Sequence, residues 1–193
     1  MPELSVIISS HGAPTLRQCL LSCYQHLQGI DAEILVVTDS TTRSLDIPFG
    51  EPAPQVLQAP RNGIAETRNL GLAQAKGAVF LLLDEDCVLP SRDLIAQIQQ
   101  RSEKDFLQGG SYQVSARSSY FARVYNWTNQ IWLQWGVLPD RSSLHLLGGF
   151  LFGNSRVRQR MKFPVHIGWG GEEKILIQEL RHQHAMISVF HSD

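Results

Sequence analysis

AVFLLLDEDCVLP, residues 78–90, decides the fold of this 193-residue chain. Residues 79–83 form an unbroken apolar run that leads straight into Asp84, Glu85 and Asp86. A short apolar run between turn residues, here Gly77 and Pro90, predicts a strand buried on both faces. Open α/β sheets bind ligands in the crevice beyond the carboxyl ends of such strands, which is where these three acids fall. Side chains alternate along a strand, so Asp84 and Asp86 are expected on one side and Glu85 on the other. Two oxygen ligands on one side suit Mg2+ or Mn2+, which takes a few carboxylates together with substrate phosphates. The competing reading is a solvated acidic turn.

Outward from this strand, the first half of the chain alternates strand and helix patterns. Residues 4–10 (LSVIISS) and 33–38 (EILVVT) read as buried strands, and residues 56–57 as a third, short one. Residues 14–27 predict a helix with Leu16, Leu20, Cys23 and Leu27 on one face. A second helix is expected over residues 63–76, stopped by Gly77, and a third over 91–101. Alternation of this kind predicts an α/β fold with a mostly parallel sheet flanked by helices. In the second half, residues 106–114 should return to the sheet. Residues 144–153 are apolar and glycine-rich, residues 156–162 are basic, a helix should begin at Glu172 or Glu173 and run to about His184, and residues 186–190 should close with a strand.

Composition bounds the function. With 43% hydrophobic and 18% charged residues, the chain can bury one compact core, and 193 residues is short for two domains. The expected organisation is a single domain over residues 1–193, in two halves of different character, 1–110 and 111–193. A net charge of −1 argues against a nucleic-acid partner. No stretch is long and apolar enough to span a bilayer, and residues 1–12 lack the marks of a signal peptide. Three cysteines, Cys19, Cys23 and Cys87, fit buried thiols in a reducing cytoplasm better than a disulfide frame. A zinc site from Cys19 and Cys23 would want a second close-spaced ligand pair, and none is present.

Four further places carry candidate chemistry. Asp39, with Ser40, follows the second strand, where an acid can meet a ribose or a base, or simply cap the next turn. Arg68 lies one to two turns into the second helix, where its planar fork can reach a phosphate or a base carbonyl, or pair with an acid such as Glu66. In GWGGEE, residues 168–173, Gly170 and Gly171 permit close backbone approach to a ligand, and Trp169 offers a flat face to a sugar ring. Glu172 or Glu173 can serve as a general base there, or as ordinary acids at a helix start. His191 can complete a metal site or be a surface residue.

Taken together, LSVIISSHG, ILVVTDSTT, RNGIAETRNLGLAQAKGAVFLLLDED, LLGGFLFGNSRVRQRMKF and GWGGEE resemble a nucleotide-sugar glycosyltransferase of the GT-A fold, in the large family 2 group. The central block is similar to N-x-G-x-x-x-A-R-N-x-G followed by a strand and D-x-D, with Asn62, Gly63, Arg68, Asn69, Gly71, Asp84 and Asp86 in place. GWGGEE resembles the W-G-G-E-D motif of galactosyl- and N-acetylgalactosaminyltransferases. Thr38, Ser40, Thr67, Glu173 and Ile175 depart from the family's usual residues. The resemblance implies a UDP-sugar donor held at the end of the first strand, at Ser10, and by Asp39, Arg68, Asp84 and the glycines Gly170 and Gly171. It also implies Mn2+ or Mg2+ at Asp84, Asp86 and His191, an acceptor platform at Trp169, and a base at Glu173 or else Glu172. The implied reaction transfers a hexosyl or N-acetylhexosaminyl group to an acceptor hydroxyl, with inversion, on a carbohydrate or lipid-linked acceptor.

Two other functions compete. Residues 84–89 also fit D-x-D-x-[TV]-[LV] of haloacid dehalogenase-type phosphatases, although that motif normally follows a first strand. A nucleotide-sugar-binding module without a working base would keep Asp39, Asp84 and Asp86. Finally, Tyr120, Val124, Trp127, Ile131 and Trp135 recur at spacings of three and four, one stripe of a helix within residues 118–135. Packing of this stripe on the sheet is one expectation. The alternative leaves it exposed for a lipid-linked acceptor, a peripheral contact with the inner face of the membrane, or a homodimer.

Overall fold

The computed structural model describes residues 1–42, 44–61, 63–89, 91, 95–96, 106–109, 120–135, 146, 148–167, 171–183 and 185–189. Among them, seven strands make one sheet: β1 (Leu4–Ser10), β2 (Ala32–Thr38), β3 (Gln55–Gln58), β4 (Val79–Asp84), β5 (Phe106–Gly109), β6 (Phe150–Asn154) and β7 (Met186–Val189). Their order across the sheet is β3-β2-β1-β4-β6-β5-β7. β6 pairs antiparallel with both neighbours, and the other pairings are parallel. The expected mostly parallel sheet is therefore present. The described helices are α1 (Thr15–Leu27), α2 (Ile64–Gln74), α3 (Tyr120–Trp135), α4 (Ser155–Arg160) and α5 (Glu172–His182). The helix expected over 91–101 lies largely outside the described residues.

The apolar runs that predict buried strands are covered on both faces. Leu4, Val6, Ile8, Ile34, Val36, Leu81 and Leu83 pack with Leu16, Cys19, Leu20, Cys23 and Leu27 of α1. Ile7, Leu35, Val37, Phe80 and Leu82 point the other way, toward α2, Val157, Phe163, and Leu176, Ile177 and Leu180 of α5. Burial of each such aliphatic side chain is worth about 1.5–3 kcal/mol, so alternation along β1 and β4 glues a helix layer to each side. α2 sits so close to the sheet that a Cβ on Gly71 would overlap Ile7 Cγ2 and stand 3.1 Å from Val37 Cγ2. β6 begins after Gly148 and Gly149 and ends at Asn154, whose side chain caps α4 by accepting from Val157 N at 3.1 Å.

Candidate active site

β1 lies between β2 and β4, so the chain leaves β1 in one direction to build β2 and β3 and returns on its other side to build β4. That makes the carboxyl ends of β1 and β4 a topological switch point, with a crevice between them. Ser9 is in register with Asp84, and Ser10 with Thr38, so Ser10, Asp39, Asp84, Glu85 and Asp86 collect at one edge.

β4 ends at Asp84, and the chain turns at once, with Cys87 N donating to Asp84 O at 3.0 Å. Asp84 is in phase with Phe80 and Leu82 and meets Arg68, whereas Glu85, the first residue of the turn, reaches back to the end of β1, so these two acids diverge. Asp86 belongs to the turn instead of the strand and is exposed, which corrects the expectation that it shares a strand face with Asp84. Glu85 is buried and holds the loop after β1. Its carboxylate accepts from Ser10 Oγ at 2.6 Å and from the amides of His11 and Ala13 at 3.0 Å each. Ser10 Oγ in turn accepts from Gly12 N at 3.0 Å. The backbone donors of this partly buried turn are thus satisfied by one acid and one hydroxyl.

Asp39 is equally engaged. Its Oδ1 accepts from Thr41 N (2.9 Å), Thr41 Oγ1 (2.6 Å), Thr42 N (3.2 Å) and Thr42 Oγ1 (3.2 Å), and its Oδ2 faces His11 Nδ1 at 2.9 Å. Burial pushes this carboxyl up, but the hydrogen bonds from Thr41, His11 and Thr42 outweigh it and hold it at about 2. His11 is half exposed, leaning from the end of β1 across to the end of β2.

Arg68 is the hub of the site. It is 2% exposed, and its guanidinium reaches three acids. Nη2 donates to both oxygens of Asp84 at 3.0 and 3.3 Å, while Nη1 donates to Glu172 Oε1 at 3.1 Å and Glu173 Oε1 at 3.2 Å. The guanidinium carbon sits 5.2 Å from the centre of the Phe163 ring. Asn69 fixes that ring by a reciprocal pair, donating to Phe163 O at 2.9 Å and accepting from Phe163 N at 2.8 Å. Arg68 Nε and Glu172 Oε2 are buried without a hydrogen-bond partner among the described residues. Burial would lower the Arg68 guanidinium, but Asp84, Glu173 and Glu172 outweigh it and keep it firmly charged. For Asp84, burial dominates and pushes the carboxyl up, against the pull of Arg68 and with help from Asp86 and Glu173. Glu172 is 6% exposed and Glu173 19%. Gly148 makes room for Glu173, whose carboxylate lies where a Cβ on that glycine would be.

The expected site residues thus fall into two groups. Ser10, Asp39, Arg68, Asp84, Asp86, Glu172 and Glu173 are described, and the structure joins Arg68, Asp84, Glu172 and Glu173 into one cluster. Gly171 adopts a left-handed conformation (φ 94°) at the start of α5, a place where a glycine is needed. Trp169, Gly170 and His191 lie outside the described residues. Sequence reasoning missed His11, Glu85 and Phe163 as parts of this edge. The serine-histidine-glycine after β1 and the central acid of DED were available signals for the first two. Nothing local pointed to Phe163, because it meets Arg68 only through the tertiary fold.

Among the described residues no group of three or more His, Cys, Asp or Glu side chains is placed to hold a metal ion. Asp84 and exposed Asp86 at the crevice mouth do fit an ion of the Mg2+ type, which needs only one or two carboxylates when phosphates and water complete its shell. Burial, together with Asp84 and Asp86, pushes the Cys87 thiol up to about 12, so it is neutral and not a thiolate ligand.

A family model described as glycosyl transferase family 2 matches residues 5–165. The chain belongs to glycosyl transferase family 2. Solved structures agree on the fold. The mannosyltransferase PcManGT from Pyrobaculum calidifontis, in complex with GDP-Man and Mn2+, is similar at a TM-score of 0.65 and 15% identity over 98% of this chain and 55% of its own. TarS 1-349 of S. aureus is similar at 0.65 and 17%, over 99% of this chain and 58% of its own. Glucosyl-3-phosphoglycerate synthase from Mycobacterium tuberculosis, with UDP, is similar at 0.61 and 16%, over 100% of this chain and 73% of its own. The family 2 chain therefore has a GT-A-like fold and spans a little over half the length of the first two. No curated protein matches it in sequence. Membership of this family sets aside the phosphatase reading of Asp84, which in any case is held by Arg68 on the fourth strand and is not a free acid after the first.

Proposed function

We propose that this family 2 protein transfers a sugar from a nucleoside-diphosphate sugar to an acceptor hydroxyl in glycoconjugate or polysaccharide synthesis. The observation that carries the reading is the meeting of Asp84, from the nucleotide-side strand, with Glu172 and Glu173 on one guanidinium at the switch-point crevice. Donor-side and acceptor-side carboxylates are thereby within a few ångströms of each other, as a direct displacement requires. The donor lies along the edge from Asp39 and Ser10 to Asp84, with Arg68 behind it. Uracil as the base, and a hexosyl or N-acetylhexosaminyl group as the sugar, rest on the resemblance. Among the structural neighbours one was solved with UDP and another with GDP-Man and Mn2+.

Asp84 and Asp86, with His191, would hold Mn2+ or Mg2+ against the diphosphate. Such an ion supplies positive charge to the departing nucleoside diphosphate. Glu173 is the preferred base because it is the more exposed of the two glutamates, with Glu172 the alternative. Its carboxylate takes the acceptor proton while the acceptor oxygen attacks the anomeric carbon from the face opposite the leaving group, which inverts that centre. Gly148 and Gly171 give this carboxylate its space and its helix start.

Calorimetric titration with UDP, GDP, UDP-Glc, UDP-GlcNAc, UDP-Gal and UDP-GalNAc, with and without Mn2+, tests the reading. One base should be preferred, and Mn2+ should tighten binding by about 10-fold or more, some 1.4 kcal/mol. Asp86→Ala should lose that Mn2+ effect without a change in unfolding, because Asp86 is exposed. Glu173→Gln should keep donor binding and lose release of nucleoside diphosphate. Donor binding with no turnover by the unaltered protein would reduce it to a nucleotide-sugar-binding module. No binding of any nucleotide would overturn the proposal.

A further inference from the structure

Helix α3 is the least accounted-for element of the molecule. Its sequence, YFARVYNWTNQIWLQW, covers 16 residues, about 24 Å of helix. At 100° per residue, Trp127, Tyr120, Ile131, Val124, Trp135, Phe121 and Tyr125 fall within one arc of about 160°, interrupted by Thr128, while Asn129, Asn126 and Arg123 fall outside it. A face of this kind is expected to be buried on the sheet. It is not. Phe121 is 78% exposed, Trp135 84%, Tyr120 68%, Trp127 64% and Tyr125 50%. At about 150–250 Å2 per aromatic side chain, five such residues leave on the order of 500 Å2 of apolar surface facing water. That is at the upper end of what a monomer normally shows, and marks a contact surface.

We propose that this face of α3 docks flat on an anionic lipid bilayer. Two features of the helix select this occupant. The first is charge: α3 contains no acidic residue, and its one charged side chain, Arg123, is exposed on the polar side beside the apolar arc. Anionic headgroups complement that charge, whereas a second copy of the helix offers it no carboxylate. The second is shape and residue type. Self-pairing helices present a narrow seam of aliphatic side chains. The arc here is wide and aromatic, and Trp and Tyr have the apolar body and polar edge that suit a water–lipid boundary. Among the described residues no helix is long and apolar enough to cross a membrane, so the contact lies in the plane of the surface.

The test is flotation of the full chain with vesicles of pure phosphatidylcholine and of phosphatidylcholine carrying phosphatidylglycerol, with sedimentation of the lipid-free protein alongside. The protein should float with the anionic vesicles, and binding should weaken with added salt and on pure phosphatidylcholine. Phe121→Glu with Trp127→Glu should cut binding at least ~10-fold. Both sites are solvent-exposed, so circular dichroism should be unchanged. Arg123→Gln should remove most of the preference for anionic lipid. Failure of the unaltered protein to float with anionic vesicles overturns the proposal, and a dimeric mass abolished by the double variant would assign the face to a second copy instead.

Discussion

Arg68 spreads a single positive charge over three carboxylates, which leaves the cluster with more negative than positive charge. Removing the guanidinium would strand Asp84, Glu172 and Glu173 in a largely buried place, and breaking a buried pair by deleting one partner costs about 3–5 kcal/mol. Arg68→Met should therefore lower stability by about that much in urea unfolding. Glu172→Gln, which leaves Arg68 two acids, should cost about 1 kcal/mol or less. Equal losses in the two variants would mean that Arg68 matters for packing on Phe163 and not for charge. Asp39 gives a pH test with a definite sign. Its folded carboxyl sits at about 2, below the ordinary 3.8, so it adds stability above the ordinary value, and that contribution is lost as pH falls through the folded one. Asp39→Asn should be less stable than the unaltered protein near neutrality. The gap between their unfolding midpoints should close between about pH 5 and pH 2. A gap that stays constant over this range would show that the hydrogen bonds do not depend on the charge.

The same contrast between local and distant determinants appears among the elements. β1, β2 and β4 were legible because each is an apolar run between turn residues, and burial on both faces leaves no other place for such a run. α1 was legible from Leu16, Leu20, Cys23 and Leu27, and these residues are buried against the sheet. α4 reads in the sequence only as a basic stretch, since its start depends on Asn154 capping Val157 and not on apolar periodicity. β6 reads as apolar and glycine-rich, but its antiparallel direction cannot be read locally, because strand direction is set by distant partners. The candidate site was legible as a set of residues and not as a network. Arg68 and Glu172 are 104 residues apart, and no local signal joins them. Gly71 is the element-scale test, since helix propensity and packing oppose each other there. Alanine gains about 1 kcal/mol over glycine in a helix, whereas overpacking a tight contact costs about 1–3 kcal/mol. Because the new methyl would overlap Ile7 on β1, an interior strand of the sheet, packing should win, and Gly71→Ala should lower the urea midpoint. An unchanged or raised midpoint would mean that α2 can lift off β1 at little cost.

At the scale of the whole molecule, the two halves of the chain are interleaved. β6, from residues 150–154, inserts between β4 and β5, both from the first half, and β7 closes the edge beside β5. α5 then brings Glu172 and Glu173 back to Arg68 on α2. A nucleotide-binding half over 1–110 and an acceptor-side half over 111–193 would thus be halves of one core and not separable domains. A core shared in this way should open as one cooperative unit, because without the second half β4 loses its ladder of backbone hydrogen bonds to β6, and Phe80 and Leu82 lose the cover of Val157, Phe163 and α5. In native-state hydrogen exchange, amides of β6 should therefore show the same opening free energy as those of β1 and β4, and should shift together with added denaturant. α3, with its apolar face in water, should exchange through smaller and faster openings. If β6 instead opened at a distinctly lower free energy than β1, the second half would be an independently melting unit. Placement of Glu172 and Glu173 on Arg68 would then be a property of a transient docked state instead of the resting fold.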